Sequence, residues 1–141
     1  MTLPAPLPAG ASEPRLPELR PGLWQFQGRE GGRKIDSRKC ASPSEELRAE
    51  NAALAKLGCT FTSPTPSHDT YRYQSRCDLT TRRGRALTSQ RNSVIKVRGD
   101  QAFELTVKGT SNGNPVDDLI VGKRIGECNK PVASRPAGKK P

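Results

Sequence analysis

Four cysteines constrain this chain of 141 residues more than any other feature: Cys40, Cys59, Cys77 and Cys128. They form no C-x-x-C pair and no cluster with histidine, which zinc ribbons, redox centres and haem attachment sites require. A small domain buries little apolar surface, so covalent links are expected to supplement its core. We predict two disulfide bonds, no metal site and no cofactor. Disulfides persist in oxidising compartments, so we also predict a periplasmic or secreted protein.

The termini differ in composition from the rest of the chain. Residues 1–19 contain five prolines and no apolar run long enough for a signal-peptide core, so we expect that the signal peptide was removed and that Met1 is an added start residue. Residues 130–141 are rich in proline and lysine. We predict disorder in both segments, one domain over 20–129 between them, and no transmembrane segment, because no window approaches 18 apolar residues.

One helix is predicted, over residues 43–57, from the segment ASPSEELRAENAALAKLG. Ser42 and Glu45 have the spacing of a capping box, and Pro43 suits the first helical position. Gly58 suits a left-handed C-terminal cap. The apolar side of this helix is expected to carry three leucines, namely Leu47, Leu54 and Leu57.

The remaining segments alternate between apolar and polar residues as strands do. In TYRYQSRCDL, one face carries Tyr71, Tyr73, Ser75, Cys77 and Leu79. Further strands are predicted from GLWQFQ, RKIDSRKC, the segment that starts at Cys59, SVIKVR, AFELTVK and Leu119–Cys128. The predicted fold is therefore mainly β (α+β): a curved, barrel-like antiparallel sheet of about seven strands that packs on one α-helix and carries two disulfides.

The register of one hairpin can be predicted. A three-residue loop centred on Asp100 gives each position a chemically suitable opposite neighbour. The predicted pairs are Val97 with Phe103, Ile95 with Leu105, Val94 with Thr106, and Lys96 with Glu104. The loop contains an RGD tripeptide, which we interpret as turn chemistry rather than as an integrin ligand.

Four cysteines allow three pairings. A hairpin that turns near His68 would place Cys59 roughly opposite Cys77, within the reach of a disulfide, and this leaves Cys40 for Cys128. The second bond would tie the second strand to the last and draw the two ends of the sheet together.

Four motifs, in order, resemble a family of small exported proteobacterial proteins whose members carry only a domain-of-unknown-function label. They are PGLW (21–24), KCASPSE (39–45), YRYQSRC (71–77) and GKRIGEC (122–128), and the resemblance covers about residues 20–129. It implies a periplasmic or envelope protein, agrees with the order of the paired cysteines, and supplies no catalytic residue.

Catalysis is not predicted. The one histidine, His68, lies at an expected turn beside Asp69, and consecutive turn residues point in different directions, whereas catalytic groups converge. Trp24 and Phe26 either line a ligand pocket or fill the core, and we favour the core because the domain has only six aromatic residues.

The net charge of +10 suggests an anionic partner. Candidate anion-binding residues are Arg82, Arg83, Arg85 and Arg91, since guanidinium groups bind phosphate and carboxylate in a bidentate manner; a solvated turn is the alternative. Nucleic acid is not expected, because no aromatic residues interleave with these arginines.

The predicted function is that of a non-enzymatic, monomeric envelope protein that binds an anionic envelope component or an acidic protein. The alternative is a carrier that holds a small apolar ligand inside the curved sheet.

Overall fold

A computed structural model of the protein describes residues 14–128. Seven strands and one helix follow one another along this part of the chain: β1 (Gly22–Glu30), β2 (Arg33–Ala41), α1 (Pro43–Lys56), β3 (Thr60–Thr62), β4 (Thr70–Thr80), β5 (Ala86–Arg98), β6 (Ala102–Ser111) and β7 (Asn114–Gly126). All strands join one antiparallel sheet in the order β2-β1-β7-β6-β5-β4-β3. The mainly β fold and the strand number agree with the sequence-based prediction.

The sheet is open, and its barrel-like closure is not confirmed. Strands β2 and β3 are its two edges and do not pair with each other. Helix α1 connects them in sequence, so the chain passes from one edge of the sheet to the other through the helix. We call the face that packs on α1 the inner face and the opposite one the outer face.

Both predicted disulfide pairs are present, at Cys40–Cys128 and Cys59–Cys77. The second pair continues the β3–β4 ladder, in which Thr60 lies opposite Arg76. The first pair, however, does not join the two ends of the sheet. It ties edge strand β2 to the end of β7, which are both neighbours of β1, and the far edge at β3 takes no part.

The register of the β5–β6 hairpin agrees with the predicted pairs. Val97 lies opposite Phe103, and Ile95 lies opposite Leu105, on the inner face. The loop between the strands has three residues, 99–101. This result follows from the strict alternation of a strand, because a slip by one residue would turn the apolar side chains to the outer face.

Helix α1 has the predicted bounds to within one residue, but two details of its ends differ. The Ser42 N–H donates to Glu46 rather than to Glu45, and the Ser42 side chain makes no capping hydrogen bond. Leu57 is 63% exposed, because it follows the last helical residue and lies outside the apolar stripe. At the C-terminus, Gly58 N–H donates to Ala55 and Cys59 N–H donates to Leu54, the paired bonds of a Schellman motif.

The packed domain begins earlier than predicted. Pro14, Pro17 and Leu19, assigned from sequence to a disordered tail, are buried. The buried hydroxyl of Ser44 on α1 holds this segment: it accepts from Leu19 N–H at 2.7 Å and donates to the Pro17 carbonyl at 2.6 Å. The predictions for residues 1–13 and 129–141 lie outside the described residues.

An aromatic cluster forms one end of the core. Trp24 is completely buried, donates through its indole N–H to the Arg20 carbonyl, and lies 5.7 Å from Phe103 between ring centroids. Phe26 stacks beside Trp24 at 6.2 Å. Phe61 and Tyr73 pack together near the other edge of the sheet, where Cys59 and Cys77 are also buried.

Candidate ligand-binding groove

Between α1 and the inner face lies a cavity of about 400 Å³, which we call the groove. Its lining residues come from the helix and from six of the seven strands. Neighbouring strands are about 4.8 Å apart, so six of them extend over roughly 24 Å, and residues from all six can line one cavity only if the sheet curves around it. The volume lies within the range of about 300–1,000 Å³ that small-molecule pockets occupy.

Two glycines allow this curvature. Gly28 and Gly109 have φ angles of 138° and 155°, which side-chain-bearing residues rarely adopt. A Cβ atom at either position would collide with the backbone of the neighbouring strand, at the carbonyl of Leu119 or of Gln90. Glycine in a strand interior marks such bends and close approaches.

The greater part of the groove wall is apolar. The sheet contributes Phe26, Ile35, Phe103, Leu105, Val107 and Ile120, and the helix contributes Leu47 and Leu54. Phe103 and Leu105 are buried, and Phe26, Val107 and Ile120 are partly buried against the same core. This part of the groove can hold an apolar group without leaving a polar atom unpaired.

Polar side chains line another part of the groove: Asn51 from α1, with Tyr73, Ser75, Arg91 and Ser93 from β4 and β5. Burial raises the pKa of the Tyr73 hydroxyl above its ordinary value of 10.0, and the Glu50 carboxylate raises it further. Asn51 and Ser93 approach the hydroxyl and oppose this rise, although the Asn51 Nδ2 atom makes no hydrogen bond of ordinary geometry. Tyr73 therefore stays uncharged near neutral pH.

The rim of the groove is acidic in a basic protein. Glu30, Glu46 and Glu50 are exposed, and Asp118 is half-buried and accepts a hydrogen bond from Gly31 N–H at 3.0 Å. Lys39 also lines the groove and carries a positive charge. Its ammonium lies 5.7 Å from the centre of the Phe26 ring. The overall +10 charge is thus not concentrated at the groove.

Two further depressions lie elsewhere. One, of about 580 Å³, adjoins the Cys40–Cys128 disulfide and is bordered largely by exposed residues such as Glu45 and Ala49. Another, of about 360 Å³, lies on the outer face. Three cations line it, Arg72, Lys96 and Lys108, together with Glu104. Although the first is larger, the groove is the better small-molecule site, because it has buried residues on both the helix and the sheet side.

A family model described as "Protein of unknown function (DUF3617)" matches residues 19–128, which include all eight elements. The chain belongs to the DUF3617 family. No curated protein and no solved structure matches the chain significantly. The DUF3617 match confirms the predicted membership in a family of unknown function, while export and a proteobacterial origin stay predictions.

Within this DUF3617 domain, the four candidate anion-binding arginines do not come together. Arg82, Arg83 and Arg85 are exposed in the turn between β4 and β5. Arg91 lies on β5 with its side chain on the inner face, where it lines the groove between Ser75 and Gly109 of the flanking strands. Sequence proximity grouped these residues, but strand alternation separates Arg91 from the turn.

Trp24 and Phe26, predicted either to fill the core or to line a pocket, have different places in the structure. Trp24 is a core residue, and Phe26 contributes to the groove wall. His68 and Asp69 are exposed in the β3–β4 connection, outside the groove lining. Within residues 14–128, no group of three or more potential ligands could hold a metal ion, and no helix is long and apolar enough to cross a membrane.

Asn51 is the residue that sequence reasoning missed. It lies four residues after Leu47 and three before Leu54, which places it inside the apolar stripe of α1. An amide within such a stripe is a usable signal, because a polar group on the buried side of a helix requires a partner. Ser75 and Ser93 carry the same signal on the inward faces of their strands.

Proposed function

We propose that the protein is a non-enzymatic binding protein that holds a small, largely apolar ligand in the groove between α1 and the sheet. The observation that carries this proposal is the cavity of about 400 Å³ with a mainly apolar wall. Core packing usually excludes such space, since protein interiors are as dense as organic crystals. The two disulfides support a location outside the cytoplasm, where such bonds persist.

The uncharged fluorophore N-phenyl-1-naphthylamine tests this proposal, because its emission rises in apolar surroundings. The wild-type protein should bind it and increase its fluorescence. Val107→Phe adds a ring to the groove wall and should weaken binding about tenfold or more by occupying the space. The preceding residue of β6, Thr106, faces the outer side, so Thr106→Phe is the matched control and should bind as the wild type does.

Thermal unfolding should first show that both variants are folded. Absence of a fluorescence increase with the wild-type protein would reject the proposal. An equal loss of binding in both variants would also reject it, because the bound probe would then not distinguish the groove from the outer face.

A second candidate function is binding to an anionic surface through the outer face. It is supported by the depression lined by Arg72, Lys96 and Lys108, with Glu104 as its one acidic lining residue. Clustered cations of this kind attract anionic lipid or acidic polymers, and the attraction weakens as salt screens it.

Vesicles of phosphatidylglycerol, with phosphatidylcholine as the neutral control, test this second function. The double variant Arg72→Glu/Lys96→Glu should lose retention at low salt. Arg82→Glu/Arg83→Glu changes the net charge by the same amount in the β4–β5 turn and should retain binding. If only the turn variant lost vesicle retention, the site would lie in the turn. If both variants lost retention equally, net charge alone would explain the binding and the outer-face site would be rejected.

A further inference from the structure

Two buried donor atoms of residues that line the groove lack hydrogen-bond partners. Among residues 14–128, the only buried side-chain nitrogen or oxygen atoms without a hydrogen bond are Asn51 Nδ2 and Arg91 Nε. Both residues line the groove, and Asn51 is 5% exposed. Buried polar groups in folded proteins are normally paired, and an unpaired donor costs the free energy of its lost hydration. A hydrogen-bond acceptor on a bound ligand would satisfy both atoms.

The chemistry of Arg91 limits which chemical group the acceptor can be. Its guanidinium is permanently charged, and no described carboxylate forms a salt bridge with it. The Nε–H and a neighbouring Nη–H of arginine point in parallel and match the two oxygens of a carboxylate. The residues opposite Arg91 on the flanking strands, Ser75 and Gly109, place no bulky side chain beside it.

The acidic rim limits the charge that a ligand can carry. A single negative charge would be balanced by Arg91, whereas a phosphate monoester would add a second charge near Glu30, Glu50 and Asp118. The exposed carboxylates of Glu30 and Glu50 are screened by water and salt, so they weaken but do not prevent binding of one charge. The apolar wall then accommodates the uncharged remainder of the molecule.

We propose that the ligand of the groove is an amphiphilic monocarboxylate, whose carboxylate accepts hydrogen bonds from Arg91 Nε and Asn51 Nδ2 while its apolar body lies against Phe103, Leu105 and Ile120. This inference rests on the proposed function and assigns the chemical class of the ligand.

Calorimetric titration with dodecanoate, dodecanamide and dodecylamine tests the inference, since the three probes share one apolar chain and differ in the head group. The wild-type protein should bind dodecanoate about tenfold or more tightly than dodecanamide, and dodecylamine least, because hydrogen bonds between charged groups are the stronger ones. Arg91→Gln should remove this preference. Arg98→Gln deletes the same charge from an exposed position of β5 and should leave it intact.

Asn51→Leu provides a second variant that keeps the size of the side chain and removes the donor. It should weaken dodecanoate binding several-fold while N-phenyl-1-naphthylamine binds as before. In dodecanoate labelled with ¹³C at the carboxyl carbon, the chemical shift reports the pKa of the ligand's carboxyl group. This pKa should be lower in the bound ligand than in the free one, and Arg91→Gln should abolish the difference.

The outcomes separate the two proposals. Binding of the naphthylamine probe with no preference for dodecanoate would overturn the monocarboxylate and leave the groove function standing. Equal affinities for dodecanoate in Arg91→Gln and the wild type would also overturn it. If no probe binds, both proposals fail.

Discussion

At the scale of single residues, the ring of Phe103 packs directly over Gly122. The two residues are opposite each other on β6 and β7, and a Cβ atom at position 122 would overlap the Phe103 ring. An aromatic side chain over a cross-strand glycine fills the space that the missing side chain leaves. This contact fixes the ring that also packs on Trp24 and borders the groove.

Gly122→Ala is therefore expected to lower the free energy of unfolding by about 1–3 kcal/mol, because the ring must move out of a packed position. Gly126→Ala on the same strand is the control, since no atom lies within 4 Å of its Cβ position. Urea unfolding followed by the fluorescence of Trp24, the single tryptophan, measures both. Equal effects of the two substitutions would contradict the contact.

The ionisation of Tyr73 is a second property of one residue. Tyr71→Phe leaves Tyr73 as the only tyrosine, and its near-ultraviolet titration should have a midpoint above the ordinary 10.0. Since the folded state binds this proton more tightly, the stabilisation is complete below about pH 10 and is lost as the pH rises through the folded pKa. A midpoint at or below 10.0 would show that the hydroxyl is not buried.

At the scale of elements, helix α1 performs two tasks: it covers the inner face and anchors residues 14–19. The anchor depends on Ser44, whose buried hydroxyl pairs with Leu19 N–H and the Pro17 carbonyl. The chain before β1 is thereby part of the packed domain. Its prolines suggested disorder in the sequence, but they also fix the backbone in extended conformations that a neighbouring helix can hold.

Ser44→Ala leaves both backbone groups without their partner and should destabilise the protein by about 1–3 kcal/mol. It should also expose the segment around Leu19 to proteases. Ser42→Ala is the matched control two residues earlier, because the Ser42 side chain makes no capping bond, and its effect should stay within about 0.5 kcal/mol. Urea unfolding and limited trypsin digestion, which can cleave after Arg15, distinguish the two. Unchanged digestion in Ser44→Ala would refute the anchor.

At the scale of the whole molecule, the disulfides differ in burial and in the chain that they close. Cys59 and Cys77 are buried and separated by 18 residues, whereas Cys40 is exposed and its bond to Cys128 spans 88. In the chain-entropy description the longer loop contributes about 4–5 kcal/mol and the shorter about 3 kcal/mol. In this description the exposed bond also contributes more to stability.

Mild reduction followed by alkylation and peptide mass mapping should label Cys40 and Cys128 before Cys59 and Cys77, because a reductant reaches the exposed sulfur first. The paired variant Cys40→Ala/Cys128→Ala should lose more stability than Cys59→Ala/Cys77→Ala if loop length dominates. Earlier labelling of the buried pair would contradict the burial of the Cys59–Cys77 bond.

Local pattern alone determined much of this molecule. Three predictions depended only on residues that are close in sequence. The alternation around Tyr73 predicted a strand, the residues at the ends of α1 predicted the helix, and the hairpin about Asp100 predicted the register of two strands. The cysteine pairing followed from one hairpin, because Cys59 and Cys77 are the same distance from its turn. These features are properties of short segments, and the sequence contains them in full.

The tertiary structure alone decided what lies between the elements. Whether β2 and β3 meet, how far α1 stands from the inner face, and which side chains remain unpaired depend on the path of the whole sheet. Arg91 illustrates the reason: the arginines grouped with it in the sequence lie in the exposed β4–β5 turn, yet strand alternation and sheet curvature bring Arg91 to the same cavity as Asn51. A cavity is the space that many distant residues leave unfilled, so no local pattern encodes it.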